Sequence, residues 1–257
     1  MVVRIDLNAD VGESPAADSL DDAALMAFLT SASVACGFHA GSPGRMRSTV
    51  MLARTHGVSV GAHPGFLDRE GFGRREREVT PSEVEDLVAY QLGALAAIAA
   101  GEGVSLRHVK PHGALYSMAG RDAIVADAVA RGVSGIDASL VLFAPPNSQL
   151  IGAGQRAGLR TAAEAFADRA YESDGRLVSR SLPGAVIDDA GAVAARALQI
   201  AVDRSVTAHD GSVIALDAET ICLHSDTPRA AVLAAAIRRA LEAGGVEVRP
   251  VGRHSDA

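Results

Sequence analysis

The strongest constraint on this chain is an alternation. Short apolar runs are each followed by a stretch of helical periodicity, about seven times over, with no linker and no repeated segment. The runs are Val3-Arg4-Ile5-Asp6-Leu7, Ala32-Ser33-Val34-Ala35-Cys36, Val58-Ser59-Val60-Gly61-Ala62, residues 105–109, Ser139-Leu140-Val141-Leu142-Phe143, residues 159–164 and Thr220-Ile221-Cys222-Leu223. Helices are expected over residues 21–29, over 43–56 (Ser42 as cap, Gly57 as stop), from the Thr80/Glu83 capping box to Ala100, and over 119–131, 150–157 and 189–204. A last helix, opened by Thr227-Pro228, is expected to run through Ala240. Residues 212–215 read as a short strand or an irregular lead-in. Such alternation predicts a parallel sheet with helices outside it.

Six of the strands hand over a polar or ionisable group at their C-terminal end, and the fifth hands over Pro145-Pro146-Asn147. Groups spread over so many strand ends suit a (β/α) barrel, whose chemistry sits on the loops after the strands. A doubly wound open sheet would gather them at one switch point. The chain has 257 residues, 48% of them hydrophobic, which suits a single barrel domain spanning 1–257, with a loosely held tail after about residue 246.

A net charge of −7 argues against nucleic acid as a partner. No run of 18 apolar residues and no signal-peptide pattern is present, so a soluble cytoplasmic protein without a membrane partner is expected. Two cysteines, Cys36 and Cys222, fit a reduced compartment and read as small core residues.

One position stands apart chemically. Lys110 is the only lysine; the other twenty-three of the 24 basic residues are arginines. Lysine is a compact point charge with a movable pKa, so this site is expected to need an amine beside a developing oxyanion or a proton in transit. A leftover surface lysine is the plain alternative, against which the flanking His108, Pro111 and His112 weigh.

In a closed barrel, the strand ends bring Asp10, Glu13, His39, His63, Lys110 and His112 to one mouth as candidate catalytic groups. Glu164, Asp168, Arg169, His224 and Asp226 join them as candidate substrate contacts. Each has a plain counterpart. Asp10 also reads as a helix cap, His39 as incidental to a tight turn, and His63 as a satisfied core imidazole. His56, His209 and His254 read as structural or solvated, and Arg74-Arg75 as a solvated loop pair. No Gly-x-x-x-x-Gly-Lys-Ser/Thr, Gly-x-Gly-x-x-Gly or His-Glu-x-x-His motif is present.

Six segments together resemble the LamB/YcsF family: Asn8-Ala9-Asp10-Val11-Gly12-Glu13, residues 35–41 (Ala-Cys-Gly-Phe-His-Ala-Gly), Gly61-Ala62-His63-Pro64-Gly65, residues 109–116 (Val-Lys-Pro-His-Gly-Ala-Leu-Tyr), Glu164-Ala165-Phe166-Ala167-Asp168-Arg169 and Ile221-Cys222-Leu223-His224-Ser225-Asp226. The resemblance implies a seven-stranded β/α barrel similar to glycoside hydrolase/deacetylase barrels. It implies opening of the lactam of 5-oxo-L-proline to L-glutamate, coupled to ATP hydrolysis, as the A subunit of a 5-oxoprolinase with partner subunits B and C. ATP would then enter through the complex. Two other readings stay open. One is a stand-alone metal-dependent deacetylase or amidohydrolase, with Asp10, His39 and His63 holding a divalent metal. The other is a lactam-binding subunit without chemistry of its own.

Overall fold

In chain order the elements are β1 (Arg4–Val11), α1 (Leu20–Met26), β2 (Ser31–Ala35), α2 (Pro43–His56), β3 (Ser59–His63), α3 (Pro81–Gly101), β4 (His108–Val109), α4 (Gly113–Arg121), α5 (Ala123–Ser134), β5 (Val141–Ala144), α6 (Gln149–Arg156), β6 (Arg160–Phe166), α7 (Ala190–Leu198), a π-helical turn (Gln199–Asp203), β7 (Ser205–Thr207), β8 (Val213–Ala215), β9 (Thr220–Leu223), α8 (Ala230–Ala243) and β10 (Glu247–Val248). The computed structural model describes residues 2–13, 20–225, 227 and 229–252; the expectations placed on residues 14–19, Asp226, Pro228 and His254 fall outside them. Strands β1 to β6 pair in sequence, all parallel. β9 pairs with both β6 and β1, which closes a seven-stranded parallel barrel.

The period of two along a strand decides what faces inward. On β1, Ile5, Leu7, Ala9 and Val11 enter the apolar core between barrel and helices. The alternate residues Asp6, Asn8 and Asp10 are buried in the lumen. The lumen is polar and its groups pair in layers, because an unpaired polar group there is costly. At the foot, Asp6 accepts hydrogen bonds from the hydroxyls of Thr30, Ser31 and Thr220 at 2.6–2.8 Å. Midway, the Asn8 amide donates to Glu164 Oε1 at 2.9 Å and Thr220 Oγ1 at 2.7 Å. His108 meets Ser33 Oγ at 3.2 Å and stacks on Phe143. That ring fits only because residue 61 is glycine; a Cβ there would lie 2.3 Å from the imidazole.

Of the residues beyond 246, those described, 247–252, lie against the barrel. β10 lies parallel to β1, the Arg249 amide donates to Ile5 O, and Arg160 donates to Gly252 O. Val251 packs on Val141, Phe143 and Ala162 and stops the foot of the barrel.

The expected helix over 119–131 is two helices. Asp122 sits extended between them (φ −109°, ψ 116°), and its carboxylate accepts the amides of Ile124 and Val125. Asp competes with helical backbone in this way and so caps better than it propagates. The expected helix 189–204 is α7 plus the π-helical turn. It leads into an antiparallel hairpin of β7 and β8, of which the sequence marks only the second strand. Thr227 does not cap α8; Arg229, at φ 62°, holds that position. The 21-residue α3 is apolar and long enough to cross a membrane by length and composition. It packs Val84, Val88, Leu92 and Leu95 into the core as an outer barrel helix.

Candidate active site

The sole lysine is at the centre of the mouth, 2% exposed. Its Nζ lies 2.9 Å from Asp10 Oδ1 and 3.1 Å from Glu164 Oε1, and donates to Cys222 Sγ at 2.9 Å. Burial works against the ammonium, but Asp10, Cys222 and Glu164 outweigh it and hold the Lys110 pKa well above its ordinary value. Burial likewise opposes the Asp10 carboxylate, and His63 and Lys110 overcome it, so its pKa is well below the usual range. The mouth therefore holds a buried charged amine against a buried charged carboxylate.

Beside this pair sits a histidine cluster whose tautomers follow from its carbonyl partners. His63 Nδ1–H donates to Lys110 O at 2.7 Å, and His112 Nε2–H donates to Phe72 O at 2.7 Å. The remaining nitrogens, His63 Nε2 and His112 Nδ1, face each other at 2.9 Å. Glu13 Oε1 lies 3.4 Å from His112 Nδ1, 3.7 Å from His63 Nε2 and 3.1 Å from His39 Nε2. Burial is the main cause that lowers the pKa of His39 to about 2 and that of His112 well below its ordinary value, so both rings are neutral near pH 7. Gly73, at φ +64°, lets its loop close on these rings; a Cβ there would lie 2.8 Å from His39 Cβ and 2.9 Å from His112 Cδ2.

On the opposite side, His224 Nδ1–H donates to the buried Asp168 carboxylate, 3.0 Å from Oδ2. Asp168 also accepts the His224 amide and the Thr227 hydroxyl. Burial opposes this carboxylate, yet His224 and those donors keep its pKa low. With Nδ1 so held, Nε2 is the His224 ring nitrogen left without a partner in this pair. Arg169 donates Nε to Ala185 O and Nη2 to Val178 O, so part of its fork secures the loop after β6. Burial, with Arg180 and Arg74 as like charges, lowers its pKa to about 10.

A cavity of about 350 Å³ opens over these groups. Its lining includes Asp10, Lys110, His63, His112, His224 and Tyr116, and the arginines Arg74, Arg169 and Arg180. The predicted residues Asp10, Glu13, His39, His63, Lys110, His112, Glu164, Asp168, Arg169 and His224 thus converge on one mouth. Asp10, His39 and His63 do not form one ligand set. Among the described residues, the donors within 4.8 Å of one another are Glu13, His39, His63 and His112 in one group and Asp10, Cys222 and His224 in the other.

Cys222, expected in the core, does face inward, but onto Lys110. Its thiol pKa is pushed well above the ordinary value by burial, so it serves as an acceptor and not as a nucleophile. Tyr116 ends the lysine motif, yet nothing in the sequence singles it out for the site. Its hydroxyl is buried beside the Glu164 carboxylate, and burial together with that carboxylate raises the Tyr116 pKa. Gly57-Val58-Ser59-Val60-Gly61 has the spacing of a nucleophile elbow, but Ser59 opens β3 at the far end from the mouth.

The LamB/YcsF family pattern matches residues 5–256. A protein of Chloroflexus aggregans that bears the name of the 5-oxoprolinase A subunit is 53% identical over 249 residues, covering 96% of this chain and 99% of its own. The crystal structure of a lactam utilization protein from Thermus thermophilus superposes with a TM-score of 0.90 at 48% identity, covering 96% of this chain and 100% of the other. A polysaccharide deacetylase of Bacillus cereus shares the barrel, with a TM-score of 0.50 at 13% identity over 99% of this chain and 94% of its own.

Proposed function

On the premise that this chain belongs to the LamB/YcsF family, we propose that it is the A subunit of a 5-oxoprolinase, opening the lactam of 5-oxo-L-proline to L-glutamate with ATP hydrolysis coupled through partner subunits B and C. The observation that carries this reading is the buried Lys110 ammonium, clamped between Asp10 and Glu164 at the mouth of a cavity large enough for a five-membered lactam bearing a carboxylate.

Opening the ring needs a hydroxyl added to the carbonyl carbon, charge stabilised on the carbonyl oxygen, and a proton delivered to the leaving nitrogen. Asp10, ionised and 3.3 Å from His63 Nε2, accepts the proton of the attacking water. Lys110 stabilises the oxyanion in a site where burial strengthens the interaction. His224, oriented by Asp168, supplies the proton to nitrogen through Nε2. Arg169, with Arg74 and Arg180, draws the lactam's carboxylate into the cavity, where Tyr116 also lines the wall. A lactam of this size is a stable amide, and no nucleotide-binding loop motif occurs in the chain, so the ATP step belongs to the complex. The fitting location is the cytoplasm, where ATP is available and where the two buried thiols stay free.

The test is 5-oxoproline-dependent ATP hydrolysis and glutamate release, first with this chain alone and then with B and C subunits added. Activity only in the mixture supports the reading. Metal-dependent hydrolysis of another amide by this chain alone, with none in the mixture, moves the assignment to a stand-alone amidohydrolase.

A further inference from the structure

The histidine cluster beside Lys110 presents a problem of lone pairs. With His63 Nδ1–H and His112 Nε2–H both spent on carbonyl oxygens, the nitrogens that face each other at 2.9 Å each present a lone pair. Two such lone pairs repel unless a cation lies between them, either a proton, which makes His63 Nε2 a donor toward Asp10 at 3.3 Å, or a metal ion. We propose that the cation is a divalent metal ion of the zinc class, held by Glu13 Oε1, His63 Nε2 and His112 Nδ1, with its fourth position open toward the cavity.

The donor spacings fit. The three edges of this triad are 2.9, 3.4 and 3.7 Å. They scatter about the roughly 3.3 Å edge of a tetrahedron with metal–nitrogen bonds of about 2.0–2.1 Å. The ring planes fit as well. An imidazole binds a metal in its own plane, and the His63 and His112 planes cross at 83°, so their lone pairs converge. His39 is excluded as a fourth ligand by the same test. Its ring stacks on His112 at a centroid distance of 3.7 Å with the planes 5° apart, and one ion cannot lie in both planes. His39 is instead a positioning residue that donates Nε2–H to Glu13 Oε1.

The outer shell is that of a metal site: both ligand histidines are anchored through their second nitrogen to a carbonyl oxygen. One of those oxygens belongs to Phe72, a bulky residue at φ 53°, a conformation that costs energy and places the carbonyl under His112. Three imidazole or carboxylate donors with no thiolate suit zinc, cobalt or iron in the divalent state. Asp10 lies at the edge of the same set, 3.3 Å from His63 Nε2, so a water at the open position would meet it.

The inference rests on donor geometry and not on the lactam reading, and its test uses neither lactam nor ATP. The tag-free full-length chain, purified without chelator, is assayed for metals by plasma emission. It is then stripped and titrated with Co2+, following the visible ligand-field bands. Stoichiometric metal and cobalt bands of a low-symmetry, four- or five-coordinate site are expected. Glu13→Gln should shift the bands and weaken binding at least about tenfold. His39→Gln should weaken binding about 10–100-fold with the bands in place, since it removes a support and not a ligand. Folded wild-type chain with no metal and no bands, and an imidazole nitrogen NMR signal of a proton shared between His63 and His112, would overturn the proposal. Bands unchanged in both Glu13→Gln and His112→Asn would overturn the ligand set. The wild-type titration decides the matter even where a variant does not fold.

Discussion

Lys110 has three partners in the lumen, and each penalises a different substitution. Lys110→Ala leaves Asp10 and Glu164 as buried carboxylates without their cation, and a loss on the order of 3–5 kcal/mol in urea unfolding is expected. Lys110→Arg keeps the charge but brings a planar fork into a slot shaped for an ammonium. We expect glutamate release by the assembled complex to fall about 100-fold or more. Full activity of that variant would remove the case for an amine. The residue's placement in the lumen is legible because it is the one lysine in an arginine-rich chain. The strand-end acids and histidines are legible for a similar reason, being ionisable groups placed where an apolar run stops. Cys222 is not, because a thiol at the end of a buried strand looks like any small core residue, and only the closing of β9 against β1 brings it to Lys110. Ring orientation is beyond reach too. Nothing local distinguishes His39, stacked flat on His112, from His63, which stands across it.

At the level of elements, the strand order and the helical crossovers follow from periodicity, while interruptions within helices do not. Asp122 lies inside a run whose apolar spacing continues across it, so the break between α4 and α5 depends on one carboxylate choosing two backbone amides. Asp122→Ala should cost about 1 kcal/mol of stability, read as a lower urea midpoint with an unchanged slope. In β3 the sensitive position is Gly61, whose missing Cβ is the space the His108 ring fills. Gly61→Ala is expected to cost about 1–3 kcal/mol by overpacking, and the double variant Gly61→Ala/His108→Ala should recover part of it. Additive losses in that pair would count against the packing account.

For the whole molecule, the polar lumen makes stability depend on pH in two opposing ways. Burial lowers the His108 pKa from 6.5 to about 3, with Lys110 and His63 adding to it, so the unfolded chain takes up this proton first. Its contribution is present above pH 6.5 and is lost as pH falls toward 3. Asp6 has the opposite sign. Burial raises its pKa from 3.8 to about 6 in spite of its hydroxyl partners. Its contribution is full below pH 3.8 and is lost as pH rises through 6, leaving an ionised buried group that costs on the order of 3 kcal/mol at pH 7. Asp6→Asn cannot ionise and should gain stability at pH 7 relative to wild type, with the gain shrinking to nothing by about pH 4. A constant difference across that range, in unfolding curves taken at each pH, would show that Asp6 does not titrate as placed.

The closure of the barrel also bears on how the chain is made. β1 emerges from the ribosome before β9, which completes one of its flanks, and before β10 and the segment around Val251, which complete its foot. Until β9 follows, that flank is an open edge. The residues that later line the lumen, Asp6, Asn8 and Asp10, keep every second position of the waiting strand hydrophilic. The polar residues that fill the lumen of the finished barrel thus also guard the nascent chain against pairing with its neighbours on the polysome.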